Sequence, residues 1–205
     1  MATFNGTNNS DTITGSSAGD QIFAGAGDDM VYGGRGDDLI NYGAGNDTVY
    51  AGSGNDTIDD AGGAPILPGQ NLVYGGSGND LVWDGSGNDT YFGGSGDDSL
   101  WGENGGDDQY FGDSGSDSLF GGVGWDLLDG GTGDDTFSGG AGNDSAYGGA
   151  GNDVALITDD HNQDFYDLGE NAGDADTLWF GNYISANGVA VTFSGSGAGS
   201  YTFTG

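Results

Sequence analysis

Apolar residues recur along this chain at a near-constant interval of nine: Ile13, Ile22, Val31, Ile40, Val49 and Ile58, then Val73, Val82, Tyr91 and Leu100, then Tyr110, Leu119, Leu128, Phe137, Ala146 and Ala155. Glycine and short polar residues fill the gaps. So strict a period marks one small unit stacked many times, each copy burying its apolar side chain against its neighbours. The unit reads G-G-x-G-(N/D)-D-x-U-x, with U apolar, and Gly33 to Asn41 shows it whole. Its last three positions suffice for a short strand whose middle residue faces inward while its neighbours face out. Its first six positions form a turn. Glycine there supplies positive φ, and Asn or Asp at position five is the next best tolerated. Turn, strand, turn, strand makes one coil of eighteen residues, and the U side chains fill a narrow interior between two parallel sheets. Helix is disfavoured, because glycine costs about 1 kcal/mol relative to alanine at each helical position. The expected class is an all-β solenoid.

The register breaks in places. Sixteen units run from Gly6 to Leu156, and the first two, Gly6 to Thr14 and Gly15 to Phe23, are imperfect in their glycines. The seventh, Ile66 to Tyr74, has Asn71 where Asp is expected, and Asp60 to Pro65 before it read as a protruding loop. Unit eleven has one extra residue, assigned to Gly106. Residues 1–156 therefore form the repeat domain, and residues 157–205 a β-rich C-terminal capping segment. A stacked solenoid needs such a cover for its open end, and Trp179, Phe180 and Phe193 are the candidates. The final stretch, Gly199 to Gly205, reads as an unfinished strand, as expected of a piece of a longer protein.

Charge changes the picture. There are 33 acidic residues and one basic one, Arg35, giving a formal charge of −32. All the acidic residues but Glu103 and Glu170 are aspartate, the choice for a carboxylate held close to a turn. Such a charge opposes compaction and makes nucleic acid and anionic membranes poor partners, while cations suit it. The absence of cysteine excludes disulfides and thiol metal sites. No apolar run approaches a membrane span. The N-terminus lacks the basic and apolar regions of a cleaved signal peptide.

Aspartate holds position six of the unit at Asp11, Asp20, Asp29, Asp38, Asp47, Asp56, Asp80, Asp89, Asp98, Asp108, Asp117, Asp126, Asp135, Asp144 and Asp153. Unit n stacks on unit n+2, so Asp29 faces Asp47 and Asp38 faces Asp56. Carboxylates that close repel unless a cation lies between them. With turn carbonyls completing an all-oxygen cage and no His or Cys, the cage suits Ca²⁺ better than Mg²⁺, which prefers strict octahedral geometry and retained water.

Over residues 6–156 the units resemble the nonapeptide repeats of the RTX (repeats-in-toxin), or hemolysin-type, calcium-binding proteins. The resemblance implies a right-handed parallel β-roll with Ca²⁺ between successive turns on both edges. It also implies ligands: the fifteen aspartates above, and backbone carbonyls such as those of Gly34, Gly36, Gly52, Gly54, Gly76 and Gly78, with Asn71 departing from the pattern. Sixteen units offer at most fourteen such pairs, whose ions would set +28 against −32. The implied function is a structural and folding module, not an enzyme, that is disordered without Ca²⁺ and condenses in extracellular Ca²⁺. Relatives leave the cell by type I secretion through a C-terminal signal, which accounts for the missing N-terminal one.

Two other features carry chemistry. Aromatic residues at position nine form an outward stripe, Tyr32, Tyr50, Tyr74, Phe92 and Phe111 on one sheet, with Trp83, Trp101 and Phe120 on the other. Stacking stabilises a sheet; exposed, the stripe could also dock a glycan, a neighbouring domain or a second copy, making the chain an adhesin or polysaccharide-binding module. His161, in an acidic cluster, has no second N or S ligand and reads as solvated or capping. No phosphate loop is present.

Overall fold

A computed structural model of the chain describes residues 1–60, 69–102, 105–157, 164–169 and 174–180. The described chain is all-β: nineteen short strands in two parallel sheets, a parallel β-roll. Successive strands alternate between the sheets. A ten-stranded sheet begins with Thr3–Asn5 and ends with Thr177–Phe180, and a nine-stranded one begins with Thr12–Thr14 and ends with Phe165–Asp167. Each strand pairs with the one two units on, in the expected register. Val31 pairs with Val49, Val49 with Val73, Tyr91 with Tyr110, and Leu100 with Leu119.

The interior is what the period dictates. All sixteen U residues from Ile13 to Ala155 are buried, and all but Ile13 are no more than 1% exposed. Position one also contributes, through Ala24, Tyr42 and Ala51. Ala51 lies within a six-residue strand, Thr48–Ser53, and Ala24 and Tyr42 directly follow Gln21–Phe23 and Leu39–Asn41, whose inward and outward alternation carries on into position one. Strand alternation thus persists past the three residues expected from the motif.

Unit eleven keeps its strand in register, with Phe92 opposite Phe111. The Gly87 amide donates to the Gly105 carbonyl and the Gly106 amide to Val123, the pattern of positions three and four in the regular turns. Gly106 is therefore an ordinary position-four residue, and the added residue lies between Gly102 and Gly105. Beyond Leu156, Ile157, Leu168 and Leu178 extend the core, and the Trp179 side chain is 41% exposed. The expected loop lies outside the described residues apart from Asp60, as do His161 and Phe193.

Candidate metal centre

The turns stack as closely as the strands. In the fourth unit Gly34 and Gly36 have φ of +116° and +90°, a region closed to most side chains. Their carbonyl oxygens point along the roll onto Gly52 and Gly54 of the next turn, where a Cβ would overlap them. The oxygens of Gly52, Gly54, Gly76 and Gly78 are aimed likewise at Gly76, Gly78, Gly94 and Gly96. All six carbonyls singled out in the sequence thus face the gap between turns.

Fourteen of the fifteen position-six aspartates are no more than 3% exposed, and Asp11, in the first turn, is partly buried. Each buried carboxylate has one oxygen in a ladder that climbs the rim. The Asp20 amide donates to Asp38 Oδ1 at 2.7 Å, Asp38 to Asp56 at 2.8 Å, and Asp56 to Asp80 at 2.8 Å. On the other rim Asp29 donates to Asp47 at 2.7 Å and Asp108 to Asp126 at 2.9 Å. The expected neighbours, Asp29 with Asp47 and Asp38 with Asp56, are therefore in direct contact.

Asn71 does not break the ladder. Its Oδ1 accepts the Asp47 amide at 2.9 Å and its own amide donates to Asp89 Oδ1 at 2.6 Å. The amide oxygen keeps the hydrogen bond, and only the charge is lost. Two rungs escaped the sequence reading. Asp164 and Asp176 accept the amides of Asp144 and Asp153, each at 3.0 Å. The regular glycine pattern is broken there, although Gly169 keeps a φ of +83° over the Gly149 carbonyl, and Asp164-Phe165-Tyr166 and Asp176-Thr177-Leu178 keep the Asp-x-U triplet, which was the available signal.

Position five has a different reason from the one expected. Asp113, at position two, is the single non-glycine with positive φ among the described residues, so Asn and Asp at position five are not there for that conformation. They build an outer ladder of opposite sense. The Asn46 amide donates to Asp28 Oδ1 at 3.0 Å, Asn55 to Asp37 at 2.9 Å, and Asn79 to Asn55 at 2.9 Å.

The second oxygen of the inner carboxylates is the anomaly. Oδ2 of Asp29, Asp38, Asp47, Asp56, Asp80, Asp98, Asp108, Asp117, Asp126, Asp135 and Asp153 is buried with no hydrogen-bond partner. A buried carboxylate must be paired or neutralised. Burial accordingly pushes the carboxyls of Asp47, Asp56, Asp98, Asp135 and Asp153 up to about 7, and that of Asp126 to about 8. Asp20 is the contrast: the Ser16 hydroxyl and backbone amides hold it below the ordinary value. The one basic side chain, Arg35, is exposed on its turn. Unpartnered anionic oxygens and inter-turn carbonyls form a donor set that fits a hard cation with many flexible oxygen ligands, which is Ca²⁺.

Fold and rims together define a β-roll of the calcium-binding kind. A family model described as the RTX calcium-binding nonapeptide repeat (4 copies) matches residues 5–40, 42–64, 67–100, 104–137 and 129–155, and the chain belongs to that family. No curated protein matches the chain significantly. RTX repeats bind calcium, and this is a structural calcium-binding family whose members are typically secreted.

Proposed function

We propose that the chain is a calcium-triggered structural module of a secreted protein, without catalytic activity of its own. The observation that carries this reading is the pair of rims lined with buried, unpartnered carboxylate oxygens in a chain with a single basic side chain. At low free Ca²⁺ the carboxylates repel and the chain is unfolded. At extracellular concentrations the ions bridge the turns, and binding free energy becomes folding free energy. The ligands are the fifteen position-six aspartates with inter-turn carbonyls such as those of Gly34, Gly36, Gly52, Gly54, Gly76 and Gly78, for at most about fourteen ions between stacked turns. Residues 1–156 supply the nonapeptide units of the calcium-binding roll, and residues 157–205 cap it, beginning with the two further rungs at Asp164 and Asp176. Export by type I secretion fits a chain that travels unfolded and folds outside. Circular dichroism through a Ca²⁺ titration, reversed with EDTA and controlled with Mg²⁺, tests the switch: strand signal must appear with Ca²⁺ and vanish with EDTA. A signal indifferent to EDTA defeats it.

A second reading has its own support. Tyr32, Tyr50, Tyr74, Phe92 and Phe111 stack with ring centroids 4.8–5.3 Å apart, and Tyr32 and Tyr50 are 38% and 39% exposed. Such a ribbon suits the face of a sugar ring, as in a polysaccharide-binding module or adhesin, or a neighbouring domain. Glycan-array binding that disappears in Tyr50→Ser/Phe92→Ser supports it. Earlier melting with no partner lost leaves the rings as a sheet-stabilising stack.

A further inference from the structure

One rim site differs from the others. Position one is glycine or alanine in most regular units, but in unit nine it is Asp84, which is 4% exposed and points into the roll. The core around it is built to receive it. Val31, Val49 and Val73 give way in the same sheet to Tyr91 and Tyr110, both fully buried. Tyr110 donates its hydroxyl to Asp84 Oδ2 at 2.8 Å, and Tyr91 donates to Asp84 Oδ1. The Tyr42 and Tyr91 hydroxyls are 3.2 Å apart. Gly102 leaves the passage open, since a Cβ there would stand 2.5 Å from the Tyr110 hydroxyl.

Both Asp84 oxygens accept from phenols, yet burial and the adjoining Asp108 and Asp89 carboxylates push its carboxyl up, so the group calls for a proton or a cation beside it. Asp84 does not stand alone. Ligand oxygens of Asp84, Asp89 and Asp108, all three buried, lie within 4.8 Å of one another. Tyr91 also reaches Asp89 Oδ2, at 3.3 Å. Asp108, 1% exposed, has its Oδ1 on the Asp89 amide at 2.8 Å and its Oδ2 unpartnered. Asp89 and Asp108 are the ladder neighbours of this rim, so Asp84 adds a third carboxylate to a gap that has two in the regular coils.

We propose that Asp84, Asp89 and Asp108 together hold one Ca²⁺ more tightly than the two-carboxylate gaps of the same roll, with Asp84 reaching the ion from inside and Tyr91 and Tyr110 fixing its orientation. The proposal rests on the calcium-binding reading of the rims. Ligand charge and rigidity set the affinity of oxygen sites for Ca²⁺, and this site exceeds its neighbours in both. It is the first to fill, and it locks units nine and eleven together next to the degenerate seventh unit.

The test is equilibrium Ca²⁺ binding to the full chain, against a chromophoric chelator, for the wild type, Asp84→Asn and Asp84→Gly. Asn preserves the shape and an acceptor. Gly restores the usual residue of the repeat, so a variant that folds at saturating Ca²⁺ is available. The wild type should take up one ion at free Ca²⁺ about tenfold or more below the rest. Both variants should lose that step while the remaining uptake stays in place. A tight step that survives in both variants, or a wild-type curve without one, overturns the proposal and leaves calcium binding by the rims intact. A variant more heat-stable than the wild type with unchanged uptake also overturns it, making Asp84 a neutral hydrogen-bond hub. A wild type that takes up no Ca²⁺ at all defeats the calcium reading itself.

Discussion

Asp98 separates the two jobs of a rim carboxylate. Its Oδ1 accepts the Asp80 amide at 2.7 Å, while its Oδ2 is buried and unpartnered. Asp98→Asn should keep the first and lose the second, because Asn71 already shows an amide oxygen holding the same rung at 2.9 Å. Asp98→Ala loses both. If Oδ2 binds Ca²⁺, removing one site forfeits the stabilisation that ligand linkage supplies, about 2.7 kcal/mol at a free ion concentration a hundredfold above its dissociation constant. That loss shrinks towards zero as free Ca²⁺ falls. Ala should lose a further increment of about 1–3 kcal/mol for the buried Asp80 N–H left without an acceptor, and this part does not depend on calcium. Urea unfolding followed by circular dichroism at several buffered Ca²⁺ concentrations gives both numbers. The gap between wild type and Asn must widen with Ca²⁺, and the gap between Asn and Ala must stay level. An Asn deficit that is the same at every Ca²⁺ concentration refutes Oδ2 as a ligand. Equal stability of Asn and Ala refutes the ladder.

Acidity should substitute in part for calcium. Burial raises the folded-state pKa of Asp47, Asp56, Asp98, Asp135 and Asp153 to about 7 and of Asp80 and Asp117 to about 6, from 3.8. Their contribution to metal-free stability is therefore complete below about pH 4 and lost as pH rises through 6 to 7; in EDTA, strand signal should be greater at pH 4 than at pH 8, and the reverse order refutes the burial. Protons likewise compete with the ion, so the Ca²⁺ midpoint at pH 6 should exceed that at pH 8. Phe137→Ala, at a site with no exposure, should lower stability by about 3–5 kcal/mol at saturating Ca²⁺, read from the urea midpoint. Gly78→Ala places a side chain at φ +118° and a methyl on the Gly54 carbonyl; a loss of more than about 1–2 kcal/mol, seen as a lower melting temperature and a higher Ca²⁺ midpoint, is expected.

The repeat made the architecture legible because each position has one dominant demand. Val49 must be apolar, Gly52 must leave room for a carbonyl, and Asp56 must face its neighbour, so a single unit written out in letters already describes the coil. Where a position answers two demands, the letters mislead. Asn at position five looks like a turn former and is a ladder acceptor. Asn71 looks like a gap and is a rung. Asp164 and Asp176 were hidden because register was followed through glycines, whose spacing breaks down there, and not through the Asp-x-U triplet, which persists. The Asp84 network lay out of reach for a further reason. Nothing in a nine-residue motif says that position one turns inward, so Tyr42, Tyr91, Tyr110 and Asp84 do not announce themselves as one cluster until two sheets and three coils bring them together.

The inner ladder runs one way only: each backbone amide is satisfied by the carboxylate of the coil that follows it. The two ends of the solenoid are therefore unequal. Trimming the leading coil uncovers inner-ladder carboxylate oxygens, such as Asp20 Oδ1 now held by Ala2, which water solvates readily, besides freeing amides such as those of Gln21 and Met30 from their strand acceptors. Cutting ahead of Asp164 and Asp176 instead strips the acceptors from the Asp144 and Asp153 amides and exposes a terminus that each further loss recreates one coil back. Along this ladder, nested deletion from the rear should therefore cost buried hydrogen bonds that deletion from the front does not.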